Sequence, residues 1–203
     1  NLNSSLKVKV IPYWVNKNLS KKIDIDNVKI GFLGRLNQNK GIEDFLQATN
    51  SINLVENNLK VDIGGYGNIE YVSKLTNIIN QKNKTSINFL GYVDDREKFF
   101  NDVDIFVFPS YSEGLGLVLL EAMSYSKICL TRDVKPMNTY IDEDTGYLFS
   151  DINSLIEKLN LAINDLKTDY SVIDKKLSNI DKKLEESRVE NIFPKFREVY
   201  SYE

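Results

Sequence analysis

Short apolar runs and stretches of helical period follow one another along the first three quarters of the chain. Residues 28–33, from Val28 to Leu33, form an apolar, partly β-branched run that ends at Gly34, as buried strands do. Over 42–55 the apolar positions return every three or four residues and predict a helix. Glu43 and Asp44 fall in its first turn, where the helix dipole favours carboxylates. The pattern then repeats: a strand over 59–63, the turn Gly64-Gly65-Tyr66-Gly67, a helix over 69–81, a strand over 87–90 and a short helix over 95–101. An apolar strand over 104–108, a helix over 116–125 and a strand over 127–130 follow. Strands alternating with helices at this spacing predict βαβ units, and so an α/β fold: a doubly wound parallel sheet with helices on both faces. Ligands of such sheets bind beyond the carboxyl ends of the strands. Glycines cluster there, at Gly34, Gly64, Gly65, Gly67, Gly91, Gly114 and Gly116.

The two ends of the chain have a different texture. Residues 1–27 are polar around Val8-Lys9-Val10-Ile11-Pro12 and look like a linker leading into a domain that spans 28–203. Residues 151–203 keep a helical period (Leu155, Leu159, Ala162, Leu166; then Ile192, Phe196, Val199) among many Lys, Asp and Asn, which predicts a solvated C-terminal helical tail on the sheet.

With 203 residues, 42% of them hydrophobic, the chain has enough core for one globular domain or at most two small ones. Its 26 Lys and Arg against 29 Asp and Glu leave a net charge of −3, which gives no general reason to expect a nucleic-acid partner. The histidine count is zero, which removes His as general base, metal ligand or pH switch, and with it every Ser-His-Asp or Cys-His pairing. A single cysteine, Cys129, rules out a disulfide within the chain. No apolar stretch approaches the length of about eighteen residues that suggests a spanning helix.

Two segments combine charge with glycine at the expected ligand end. In Gly34-Arg35-Leu36-Asn37-Gln38-Asn39-Lys40-Gly41, Arg35 offers a planar fork and Lys40 a point charge, and together they can grip a diphosphate. Two exposed surface cations are the plain alternative, and the order of residues is not that of a P-loop. In the second segment, Ser110 to Met123, Gly114 and Gly116 allow close backbone approach at a helix N-terminus, where free N–H groups favour phosphate. Glu113 lies in the loop before that helix. Glu121 lies inside an apolar stretch of it, either as a buried carboxylate reaching hydroxyls or as an edge residue facing water. The Gly64–Gly67 turn does not match a dinucleotide fingerprint. Asp102-Val103-Asp104 spells a D-x-D, but its position at a helix end and a strand start predicts a structural role, and Asp94-Asp95 looks like an N-cap pair. No metal site is predicted.

Taken together, Gly34-Arg35…Lys40-Gly41, Phe89-Leu90-Gly91-Tyr92-Val93 and Phe108-Pro109-Ser110…Glu113-Gly114…Gly116-Leu117…Glu121-Ala122-Met123 resemble the retaining glycosyltransferases of family 4, glycosyl transferases group 1. Glu113 and Glu121, with seven residues between them, match that family's E-x7-E motif. The resemblance runs over about residues 8–200 and implies one Rossmann-like half of a GT-B fold. It also implies roles. Arg35 and Lys40 would neutralise the donor diphosphate as it leaves, Glu113 would hold hydroxyls of the transferred sugar, and Glu121 would bind the ribose hydroxyls. Backbone groups of Gly34 and of Gly114, Leu115, Gly116 and Leu117 would approach sugar and phosphates, and Tyr92 and Val93 would border the base. The donor would be a nucleotide-diphosphate sugar (UDP- or GDP-sugar) used without cofactor or metal, and the acceptor a glycan, lipid or protein. The family's acceptor domain would precede this one by about 170 residues of chain, so this segment corresponds to the donor-binding half and would transfer little by itself. A cytoplasmic place is implied, with a peripheral seat on the membrane face for the full-length form. The chain departs from the family at Ser126-Lys127-Ile128, where Gly-x-Pro is usual, at Asn138 in place of Glu, and at Arg188 in place of Trp. A non-catalytic nucleotide-sugar-binding or interaction module of the same fold is the alternative.

Overall fold

The computed structural model describes residues 23–194, apart from 55, 80–85, 186 and 189, together with Asn18. Six strands, β1 (Lys29–Leu33), β2 (Lys60–Gly64), β3 (Ile87–Gly91), β4 (Ile105–Phe108), β5 (Ile128–Arg132) and β6 (Tyr147–Phe149), form one sheet in the order β3-β2-β1-β4-β5-β6. All neighbours are parallel. The chain winds outward from β1 in one direction and from β4 in the other, so a crevice opens between their carboxyl ends. Among the described residues the helices include α1 (Ile42–Asn50), α2 (Ile69–Ile78), α3 (Arg96–Asp102), α4 (Leu117–Ser124), α5 (Met137–Tyr140), α6 (Ile152–Thr168) and α7 (Tyr170–Glu185).

Each central strand is buried on both sides, which is why its sequence is a continuous apolar run. Alternation sorts the side chains into two cores. Ile30, Phe32, Ile105 and Val107 meet α1 through Phe45 and Leu46 on one face. Leu33, Phe106 and Phe108 meet Phe99, Phe100, Leu119 and Met123 on the other. The doubly wound sheet is therefore as the periodicity predicts.

The differences lie at ends and in short elements. α1 stops at Asn50 and α2 at Ile78, earlier than expected; Asn50 Nδ2 donates to the Ile78 carbonyl at 2.6 Å and ties the two helix ends together. Positions 55 and 81, where the predicted helices end, lie outside the described residues. α5 and β6, of four and three residues, are too short to leave a period in the sequence. The tail helices are core elements as well as surface. Leu155, Leu159, Ala162, Ile163 and Leu166 of α6 complete the first core, whereas Ile180 and Leu184 of α7 join the second. Of the predicted linker, residues 1–17 and 19–22 lie outside the described residues, as do Phe196 and Val199. Asn18 is held at the end of α4, its amide donating to Ser124 Oγ at 2.8 Å.

Candidate functional site

The loops that leave β1, β2 and β4 interlock through backbone. Gly34 N–H donates to the Gly64 carbonyl at 3.1 Å and Leu36 N–H to the Tyr66 carbonyl at 2.8 Å. A Cβ on Gly65 would lie 1.8 Å from the Gly34 oxygen, and φ there is +140°, so only glycine fits this crossing. The β1 loop also meets the β4 loop. Tyr111 N–H donates to the Asn39 carbonyl at 2.9 Å, and Ser112 Oγ bonds the Asn39 side chain at 3.1 Å. Gly41, at φ +65°, packs its Cα against the Pro109 carbonyl, which a Cβ would approach to 2.2 Å.

This stitching brings the two charged segments together. Lys40 Nζ forms an ion pair with Glu113 Oε1, both side chains being largely shielded. Around them a cavity of about 450 Å³ is lined by Gly34, Arg35, Lys40, Ser110, Glu113 and the run Gly114–Val118. Arg35 is exposed and makes no ion pair with any described residue. Gly116 caps α4 in the left-handed region at φ +65°. The N–H groups opening α4 precede the helix's own hydrogen bonds and are free to meet an anion. Gly114 has nothing within 4 Å of where a Cβ would stand.

A second, smaller cavity of about 170 Å³ adjoins the first and shares Leu33, Gly34 and Val118 with it. Gly65, Tyr66, Tyr92, Val93, Asp94 and Arg96 complete it. Tyr66 and Tyr92 are 59% and 72% exposed, and their rings sit 6.1 Å apart at 52°. Exposed aromatic pairs of this kind offer stacking surface to a flat ligand.

Glu121 stands part-exposed at the edge of α4, paired with a cation that neither reading of the sequence named. It lines neither of these two cavities. Its partly exposed carboxylate is taken by Arg96, with Nε 2.8 Å from Oε1 and Nη2 2.5 Å from Oε2. The sequence reading missed Arg96, although a signal was there: a cation in the first turn of a helix opposes the dipole and calls for a local partner. Tyr66 was missed with the turn that carries it.

Also missed was the support beneath the β4 loop. Arg132, 5% exposed, bonds Asp44 at 2.5 Å and the carbonyls of Pro109 and Ser150 at 3.2 and 2.7 Å. Tyr111 donates to the same Asp44 carboxylate at 2.6 Å, which raises the pKa of its phenol, and its ring lies 4.1 Å from the guanidinium carbon. Ser110 Oγ is buried in this loop with no hydrogen-bond partner among the described residues. Asp104 stands at the opposite, amino end of the sheet and accepts from the Lys29 N–H at 2.9 Å, a structural role as expected. Among the described residues no group of three or more acidic or thiol side chains could hold a metal ion, and no helix is long and apolar enough to cross a membrane.

A doubly wound parallel sheet with this cleft at its switch point is a Rossmann-like fold, of the kind that makes up one half of the GT-B architecture. The chain belongs to the glycosyl transferases group 1 family, whose profile matches residues 27–165. It is similar to the capsular polysaccharide biosynthesis glycosyltransferase CapM of Staphylococcus aureus, with 28% identity over 61% of this chain and 33% of CapM. It is likewise 27% identical to the O-antigen biosynthesis glycosyltransferase WclY of Escherichia coli, over 62% of this chain and 39% of WclY. The chain thus spans between a third and two fifths of these relatives. In fold it is similar to a variant of S. aureus TarM solved with fondaparinux, alpha-GlcNAc-glycerol and UDP (TM-score 0.79, 22% identity, 98% of this chain and 41% of that one). Anabaena HepE in complex with UDP and glucose is equally similar (TM-score 0.79, 21% identity, 96% of this chain and 57% of that one).

Proposed function

We propose that this chain is the donor-binding half of a retaining glycosyltransferase of family 4, taking a sugar from a UDP- or GDP-sugar without a metal. The observation that carries the reading is the Lys40–Glu113 pair at the cavity, with Arg35 beside it and the opening of α4 across from it. Arg35 and Lys40 hold the diphosphate and offset the charge that gathers on it as the glycosidic bond breaks, which is electrostatic stabilisation of the transition state. Glu113 fixes the Lys40 ammonium and accepts from sugar hydroxyls. N–H groups of Gly114 to Leu117 meet the phosphates and the sugar, and Gly34 lets the diphosphate lie close to the β1 loop. Tyr92 and Val93 border the base. Glu121 takes the ribose hydroxyls through the lone pairs that Arg96 leaves it. The UDP present with TarM and HepE supports a nucleotide as ligand of this fold.

The acceptor, a glycan, lipid or protein, is bound by the part of the full-length enzyme that corresponds to the unmatched length of CapM and WclY. The place of action is the cytoplasm. Calorimetric titration with UDP, GDP and ADP, with and without EDTA, tests the reading. One nucleotide binds saturably and without regard to EDTA, and Arg35→Ala and Lys40→Ala each weaken it about tenfold or more, the worth of a hydrogen bond to a charged group. Binding indifferent to both substitutions refutes the assignment.

A further inference from the structure

The smaller cavity holds a cation whose donors are only partly used. A guanidinium carries five N–H groups in a rigid plane. On Arg96, Nε and Nη2 are engaged side-on by the two oxygens of Glu121. That pairing fixes the plane and leaves the end of the fork, the Nη1 hydrogens and the outer Nη2 hydrogen, without a partner among the described residues. Arg96 lines the cavity together with the exposed rings of Tyr66 and Tyr92.

We propose that Arg96 is a specificity-determining residue that reads the nucleobase, selecting bases with carbonyl acceptors, guanine or uracil, over adenine. The inference rests on the donor-site reading above and deepens it. The free end of the fork presents donors only. Guanine answers with O6 and N7, and uracil with a carbonyl whose two lone pairs accept both N–H groups. Adenine places an amino group beside N7, so donor would face donor. The tyrosines supply stacking for any base, so they bind and Arg96 discriminates. Glu121 has a second task, that of holding the Arg96 fork in register while it meets the ribose.

The test measures Kd for UDP, GDP and ADP on this chain and on Arg96→Gln, Arg96→Lys and Lys98→Gln. Lys98 is an exposed cation on the same helix that does not line the cavity. The unsubstituted chain binds UDP or GDP roughly ten- to a hundredfold more tightly than ADP, the range of one bidentate contact. Arg96→Gln brings that ratio to within about threefold by weakening the preferred nucleotide, and Lys98→Gln leaves it in place. Arg96→Lys keeps the charge without the fork and does not restore the ratio. The proposal is overturned if the ratio survives Arg96→Gln, if lysine restores it, or if ADP is the preferred ligand. Arg35→Ala and Lys40→Ala weaken all three nucleotides alike, so the two readings fail separately. A flat base ratio with intact dependence on Arg35 and Lys40 removes only the role of Arg96; no binding of any nucleotide removes both.

Discussion

Substituting Gly65 by alanine should damage the fold and the site together, and the structure gives the size of the effect. The new methyl would stand 1.8 Å from the Gly34 carbonyl oxygen, where a carbon–oxygen contact opens to about 3.3 Å. The two loops must therefore part by roughly 1.5 Å. That movement strains two bonds, Gly34 N–H to the Gly64 carbonyl and Leu36 N–H to the Tyr66 carbonyl. At about 1 kcal/mol each, with about 1–3 kcal/mol for a non-glycine residue in an unfavoured backbone region, the loss is about 3–5 kcal/mol. Domains of this kind hold only about 5–15 kcal/mol in total. Urea denaturation monitored by circular dichroism should show the midpoint falling sharply at unchanged m. Gly114→Ala is the matched control. No atom lies within 4 Å of its Cβ position and its φ lies outside the left-handed region, so its stability should stay within about 0.5 kcal/mol of the parent. Its methyl faces the cavity, and nucleotide affinity should drop instead. A Gly65→Ala chain as stable as the parent to within about 1 kcal/mol would refute the claim that the loop crossing depends on glycine.

Asp44→Ala leaves the buried Arg132 guanidinium without its carboxylate and should cost about 3–5 kcal/mol. Tyr111→Phe removes one hydrogen bond to the same group and should cost about 1 kcal/mol; denaturation of the double variant should show the two effects to be non-additive. Ser110→Ala removes a buried hydroxyl that has no partner, so thermal unfolding should find the variant unchanged or up to about 1 kcal/mol more stable, and a loss beyond that would contradict the unpartnered state. Burial holds the pKa of Lys127 below its usual value, so between that lowered value and 10.5 the unfolded chain binds more protons and stability from this group rises with pH. Lys127→Met lacks that gain: its advantage over the parent should be largest at neutral pH and shrink toward pH 10.5, and a difference constant across this range would refute the reading.

How much of this was legible in the sequence depended on the range over which each signal acts. Strands buried on both faces announce themselves locally, because most residues in them are apolar; Ile105–Phe108 could hardly be read otherwise. Helix ends were less legible, since the Asn50–Ile78 contact that ends two helices side by side joins residues far apart in the chain. The same holds for the site. Glycine and charge marked the cavity wall at Gly34, Arg35, Lys40 and Glu113. The pairing of Lys40 with Glu113 was invisible, because pairing across loops has no local pattern. Glu121 illustrates the limit: a carboxylate in an apolar helix signals that something meets it, and only the fold reveals Arg96 as the group that does.

The network around Arg132 fixes the shape of the charged loop. Glu113 and Ser110 sit on the loop that follows β4, which is also tied to the β1 loop through Asn39. Arg132 reaches that loop from the carboxyl end of β5, bonds the Pro109 carbonyl, and is itself fixed by α1 through Asp44 and by the residue after β6 through the Ser150 carbonyl. Three elements thus set the position of one loop, and the Tyr111 ring closes over the guanidinium from the other side. The conformational cost of ordering the loop is met during folding, when α1, β5 and β6 come together, and not when a ligand arrives. A buried ion pair adds little to stability compared with an apolar replacement, so the network is better understood as a means of holding Lys40 and Glu113 at one separation. By that argument Arg132→Met should leave the fold intact and still weaken nucleotide binding, whereas Asp44→Ala should harm both.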